Sequence, residues 1–152
     1  TLGNVRLRKT ISGGIAEVLL MYTSDEFGFS AKSLRFVFQD HVLKEMSDDW
    51  FLYRVSDASI DISQDRAVQI ARNAAKDFEW TVNGLVVSNF TVLTEPVSAV
   101  FFPHPRTELL TLVPYWYVTL YLDREYPVGV KVISVGVWAD TGEVANIQPL
   151  SG

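Results

Sequence analysis

Over the first sixty residues apolar and polar side chains alternate with a period of two between turn signals, the pattern of antiparallel strands. Val5, Leu7, Lys9 and Ile11 form one row, and Arg6, Arg8 and Thr10 form the other. Ser12-Gly13-Gly14 supplies the positive backbone angles of a tight turn, and Val18, Leu20 and Tyr22 continue as a second strand. The polar, glycine-containing stretch 23–32 reads as a loop. Leu34, Phe36 and Phe38 then alternate with Arg35, Val37 and Gln39 in a third strand, which Asp40-His41 turns into a fourth from Val42 to Met46.

Between Ser63 and Glu79 the period changes. Ala67, Ile70, Ala71, Ala74, Ala75 and Phe78 share one helical face, opposite Gln69, Arg72, Asn73, Lys76 and Asp77. Ser63 is a good N-cap, Asp65 suits the positive end of the helix dipole, and the small alanines allow a close approach to a sheet. After Asn83-Gly84 the period of two returns, predicting strands near Leu85–Leu93, Val97–Phe102, Leu112–Asp123, Val130–Ala139 and Glu143–Ile147. Tyr126-Pro127-Val128-Gly129 and Asp140-Thr141-Gly142-Glu143 mark the last two reversals.

Composition narrows the class. Of the 152 residues 48% are hydrophobic, and nine Phe, six Tyr and four Trp supply more core-forming surface than a disordered chain carries. Every apolar run is interrupted well short of the ~18 residues a membrane-spanning helix needs, so no span is expected. The net charge of −5 is unfavourable for a nucleic-acid partner. With no cysteine there are no disulfides, thiolate nucleophiles or cysteine-based zinc sites. Thr1 at the first position, with no basic and apolar leader after it, reads as a processed start or a cut from a longer chain.

A helix opening with ISQDRAVQIA, then YWYVTLYLD, then VGVWADTGEV resembles a PepSY-type domain over about Ile60 to Pro149. The late hairpin of that pattern falls on Asp140, Thr141, Gly142, Glu143 and Val144. Upstream, LRFVFQDHVLKEMSDDWFLYRVS resembles the final hairpin of a preceding unit, as in YcdB/YcdC-like proteins with tandem PepSY-like units. The first unit shows strands but no helix. The resemblance implies α+β architecture: one long helix packed on a curved antiparallel sheet, cystatin-like, after an N-terminal antiparallel strand segment. The organisation expected is a strand-rich segment over 1–59, the end of a first unit, and a helix with an antiparallel meander over 60–152. It further implies an extracytoplasmic location, a regulatory or inhibitory role toward peptidases, and no catalytic residues.

Candidate chemistry is sparse. His41 lies at a turn beside Asp40 and His104 between two prolines, and neither has metal-ligand spacing, so no metal site is expected. The carboxylate pairs Asp48-Asp49, Asp123 with Glu125, and Asp140 with Glu143 would need a cleft holding them about 5–9 Å apart for acid/base work. Each lies by a turn, where capping of backbone N–H groups explains it. No nucleophile elbow, phosphate loop or calcium loop is present. Arg6, Arg8, Lys9 and Arg35 would form a basic patch if the first and third strands were neighbours, although edge cations also serve simply to discourage aggregation. Trp116 and Trp138 read as core, whereas Trp50 and Trp80 near element ends are candidate partner anchors.

The leading expectation is therefore a non-catalytic binding or regulatory module with no cofactor, contacting a protein or peptide such as a peptidase. The candidate contact residues are Trp50, Trp80 and the hairpin tips Val128, Gly129, Thr141 and Gly142. A small-ligand or enzymatic pocket between helix and sheet, and a structural spacer of a longer surface protein, are the alternatives.

Overall fold

Strand-forming residues dominate the sequence, and 61% of the structure is strand against 11% helical. The computed structural model describes residues 3–25, 27–56 and 58–151. This overturns the expected fold of one long helix packed on a curved sheet. The helix is 13 residues long, and the strands of the described residues are distributed over four separate sheets. A period of two identifies a strand but carries no information about which sheet it joins. Two compact units result: Thr1–Asp57 with Pro103–Val113, and Ala58–Phe102 with Pro114–Gly152. The excursion Pro103–Val113 has no counterpart in the sequence reading.

In the first unit β1 (Val5–Ser12), β2 (Ile15–Ser24), β3 (Phe27–Gln39) and β4 (Val42–Asp48) form an antiparallel meander in that order. The stretch read as a loop over 23–32 is mostly strand. Ser24 pairs with Phe27 and Tyr22 with Phe29 in a tight hairpin, and the bulge between Met21 and Tyr22 absorbs the extra residues of β3. Burial of Phe29 against Tyr22, with ring centroids 5.5 Å apart, offsets the weak strand propensity of its polar neighbours. Asp40 and His41 both take positive φ, as a two-residue hairpin between Gln39 and Val42 requires. A short β5 (Arg54–Val55) follows.

The second unit opens with α1 (Gln64–Lys76), capped by the Ser63 hydroxyl accepting from the Arg66 N–H at 3.3 Å. A small hairpin comes next, β6 (Trp80–Val82) and β7 (Leu85–Val87), turning at Asn83-Gly84, and then β8 (Val92–Phe101). The strand expected over Leu85–Leu93 is thus two strands in different sheets. The excursion holds β9 (His104–Pro105) and β10 (Thr111–Val113), and β10 pairs with β5 in parallel and with β9 antiparallel. Pro114 has no N–H to continue the ladder, so the strand expected from Leu112 breaks there. Beyond it run β11 (Tyr115–Tyr126), β12 (Val130–Trp138) and β13 (Val144–Ser151), completing a sheet of order β13-β12-β11-β8.

The core of this unit lies between α1 and that sheet. Ala67, Ala71 and Ala75 are buried, as are Val118, Leu120, Ile133, Val135 and Val137 on one sheet face. The Trp116 indole N–H donates to the Ile62 carbonyl at 2.8 Å, tying the helix approach to the same face. Apolar side chains pack the middle of this interface, and an open hollow of about 320 Å³ lined by Arg72, Ala75, Lys76, Phe90, Thr91 and Val92 lies beside the helix. On the opposite face Tyr115 lies edge-on to Trp138, and its hydroxyl donates to Asn146 Oδ1 at 3.1 Å.

Candidate functional site

The register of β1 to β4 divides the first sheet into two unlike faces. One face carries the rungs Leu7-Leu20-Leu34-Asp48, Lys9-Val18-Phe36-Met46 and Ile11-Ala16-Phe38-Leu43. The other carries Arg8-Leu19-Arg35-Ser47 and Thr10-Glu17-Val37-Glu45. An amphipathic sheet normally buries its apolar face. Here Leu7 is 61%, Ile11 65% and Met46 56% exposed, and the central Val18, Phe36 and Phe38 are only half-buried. At one end of this face Lys9, Ile11, Ala16, Val18 and Phe38 line an open hollow of about 470 Å³, with Asp40 and His41 at its rim. The hollow lies between β1 and the β3-β4 turn.

At the middle of the polar face one cation is matched by two carboxylates. Arg35 donates from Nε to Glu17 at 2.9 Å and from Nη1 to Glu45 at 2.6 Å. The Glu17 hydrogen bond is the main cause raising the Arg35 pKa above its ordinary value. Because β2 separates β1 from β3, the basic patch expected from Arg6, Arg8, Lys9 and Arg35 does not form. Lys9 belongs to the apolar face, Arg35 is bound by carboxylates, and Arg6 and Arg8 stay in one row on β1. β1, which carries Arg6 and Arg8 on one face and Lys9 on the other, is a strand at the edge of its sheet.

The expected contact residues fare unequally. Trp80 is only 7% exposed, within an aromatic cluster of Phe78, Phe90 and Tyr126, which corrects its reading as a surface anchor. Its ring centroid lies 5.2 Å from that of Phe90 and 6.0 Å from that of Tyr126. Trp50 is half-buried, with its ring 6.4 Å from Tyr22 and 5.3 Å from Lys32 Nζ, while its carbonyl accepts from the same ammonium at 2.6 Å. Val128 is 58% exposed and held at φ 61°, a strained conformation for a β-branched residue, beside Gly129 at φ 79°. Thr141 is exposed, but Gly142 packs inward. A Cβ there would lie 3.2 Å from both Ile62 Cδ1 and Ile70 Cδ1, so the glycine lets the β12-β13 turn approach the helix.

The carboxylate pairs are engaged locally. Asp123 accepts from the Tyr126 hydroxyl at 2.9 Å, Glu125 pairs with Lys131 at 2.9 Å, and Asp48 accepts from the Trp50 N–H at 3.0 Å. Among the described residues no three His, Asp or Glu side chains gather as a metal ion would require. Nor is any helix among them long and apolar enough to cross a membrane. The open sheet face was the feature that sequence reasoning missed. The alternation of β1 to β4 announced an apolar row, and the lack of a helix pattern in the first sixty residues was the signal that nothing local would cover it.

No family model and no curated protein matches the chain. Among solved structures it is similar to the Bacillus megaterium YpeB C-terminal domain, with a TM-score of 0.38 and 14% identity, over 98% of this chain and 57% of that one. The chain therefore spans under two thirds of that structure's length. A likeness this distant carries no argument about family, partner or activity.

Proposed function

We propose that this protein is a non-catalytic binding or regulatory module of PepSY type, working outside the cytoplasm through surface contact with a protein or peptide, a peptidase being the partner class the sequence resemblance suggests. The observation that carries the reading is the open apolar face of the β1–β4 sheet. In the second unit the equivalent face of a four-stranded antiparallel sheet is covered by α1, whereas Leu7, Ile11 and Met46 of the first stay more than half exposed. Apolar surface of this kind, rimmed by Lys9, Asp40 and His41, is characteristic of interaction sites. Val128 and Thr141, both exposed at hairpin tips, are secondary contact candidates.

Selection of a random-peptide display library on the immobilised protein tests this. A counter-target carries Ile11→Glu with Met46→Glu, two exposed positions where charge is compatible with folding, as circular dichroism would verify. Peptides enriched on the native protein and lost on the counter-target are expected. Failure to enrich any peptide, or equal retention on both targets, refutes the reading.

A further inference from the structure

We propose that the free edge of β1 is a docking strip for an extended peptide whose residues alternate acidic and apolar, added as a fifth strand antiparallel to β1. The inference rests on the binding-module reading above and gives it a site and a partner chemistry. β1 is the first strand of its sheet, and seven of its eight residues are exposed. The Thr23 N–H donates to the Asn4 carbonyl at 2.8 Å, which sets the phase of the β1-β2 ladder. Asn4, Arg6, Arg8, Thr10 and Ser12 therefore turn their backbone groups toward β2. The N–H and C=O groups of Val5, Leu7, Lys9 and Ile11 point away from the sheet, a row of donors and acceptors that a further strand can pair.

The side chains along this edge specify the visitor. β1 carries Arg6, Arg8 and Lys9 and no acidic residue, although the whole chain has a net charge of −5. An added strand sends alternate side chains to opposite faces. Those beside Arg8 meet a guanidinium on the polar face, where a carboxylate forms charge-assisted hydrogen bonds. Those between them pass over Leu7, Lys9 and Ile11 onto the apolar face, where the hollow lined by Lys9, Ile11, Ala16, Val18 and Phe38, with Asp40 and His41 at its rim, receives an aliphatic side chain. Main-chain pairing supplies the affinity and the alternation supplies the selectivity. The same charges argue against a second copy of this chain, since antiparallel β1-β1 pairing centred near Arg8 sets arginine against arginine.

The probe is a fluorescein-labelled nine-residue peptide alternating Glu and Val, compared with a Lys-Val alternating peptide and a Glu-Val peptide of the same composition in two blocks. Fluorescence anisotropy should detect binding of the first alone, weakening several-fold when salt rises from about 0.05 to 0.5 M, as an electrostatic contribution requires. Leu7→Pro removes an outward N–H without touching the β1-β2 ladder, a position where an edge strand tolerates proline. It should weaken binding at least tenfold, as should Arg8→Glu. Amide hydrogen exchange on the native protein gives a readout independent of any variant: Leu7, Lys9 and Ile11 should gain protection when the peptide is added.

Equal binding of all three peptides, or unchanged affinity in Leu7→Pro, overturns the edge proposal. If display-selected peptides bind and are lost only on the Ile11→Glu, Met46→Glu target while Leu7→Pro retains them, the docking strip is wrong and the broader reading survives. If neither selected nor designed peptides bind, both fall. Concentration-dependent self-association abolished by Leu7→Pro would assign the edge to a second copy and likewise overturn the acidic-peptide proposal.

Discussion

Replacing Gly136 by alanine tests the packing of the second sheet at its most crowded point. A Cβ built on Gly136 would lie 1.6 Å from the Tyr115 Oη, 2.3 Å from its Cζ and 2.6 Å from Asn146 Oδ1. The backbone at Gly136 has no positive φ, so the conflict is one of space alone. Tyr115 must withdraw, giving up its hydrogen bond to Asn146, worth about 1 kcal/mol, and part of its edge contact with Trp138, worth about 0.5–1.5 kcal/mol. Residual overpacking adds about 1–3 kcal/mol, and the lower chain entropy of alanine returns about 0.5–1 kcal/mol. The net expected loss is about 1.5–5 kcal/mol. Equilibrium urea denaturation followed by tryptophan fluorescence measures it, since Trp138 and Trp116 are both buried in this unit. The reasoning also predicts coupling: on a Tyr115→Ala background the same glycine replacement should cost at least about 1 kcal/mol less than in the native protein, the remaining conflict being with Asn146 Oδ1. A loss under about 0.5 kcal/mol in the native background, or additive effects in the pair, would refute it.

Burial raises the Tyr115 pKa above its ordinary 10.0, Tyr117 adds to the rise, and the Asn146 hydrogen bond opposes it. As pH climbs past that ordinary value the unfolded chain releases the phenol proton while the folded protein keeps it, so stability falls with rising pH until the folded group also ionises. Between about pH 9 and 11 the native protein should lose more stability than Tyr115→Phe, read from urea midpoints, and parallel curves would remove the argument. Ala71 is fully buried on the inner side of α1. Ala71→Leu should destabilise by about 1–3 kcal/mol by overpacking, while Asn73→Leu on the exposed side of the same helix stays within about 0.5 kcal/mol. Thermal melts of the two variants side by side discriminate a close helix-sheet contact from a loose one.

Caps and two-residue turns are the elements that the sequence by itself determined, whereas the polar stretch 23–32 reads as a loop and folds mostly as strand. The Ser63 cap and the alanine row settle where α1 starts and which face it buries, and Asp40-His41 and Asn83-Gly84 settle their turns. The twofold alternation also settles which side chains of β1 share a face, and hence that Arg6 and Arg8 part company with Lys9. Partner choice between strands had no such signal. Strand pairing is made by backbone groups that nearly every residue carries, so only the tertiary structure decided that β2 separates β1 from β3, that β10 belongs to the first unit and pairs with β5, and that the strands of the described residues divide into four sheets rather than one. The candidate site lies on that division. An apolar row is visible in the letters, but whether anything lies over it depends on where distant segments go, and in the first unit Leu7, Ile11 and Met46 stay open to solvent.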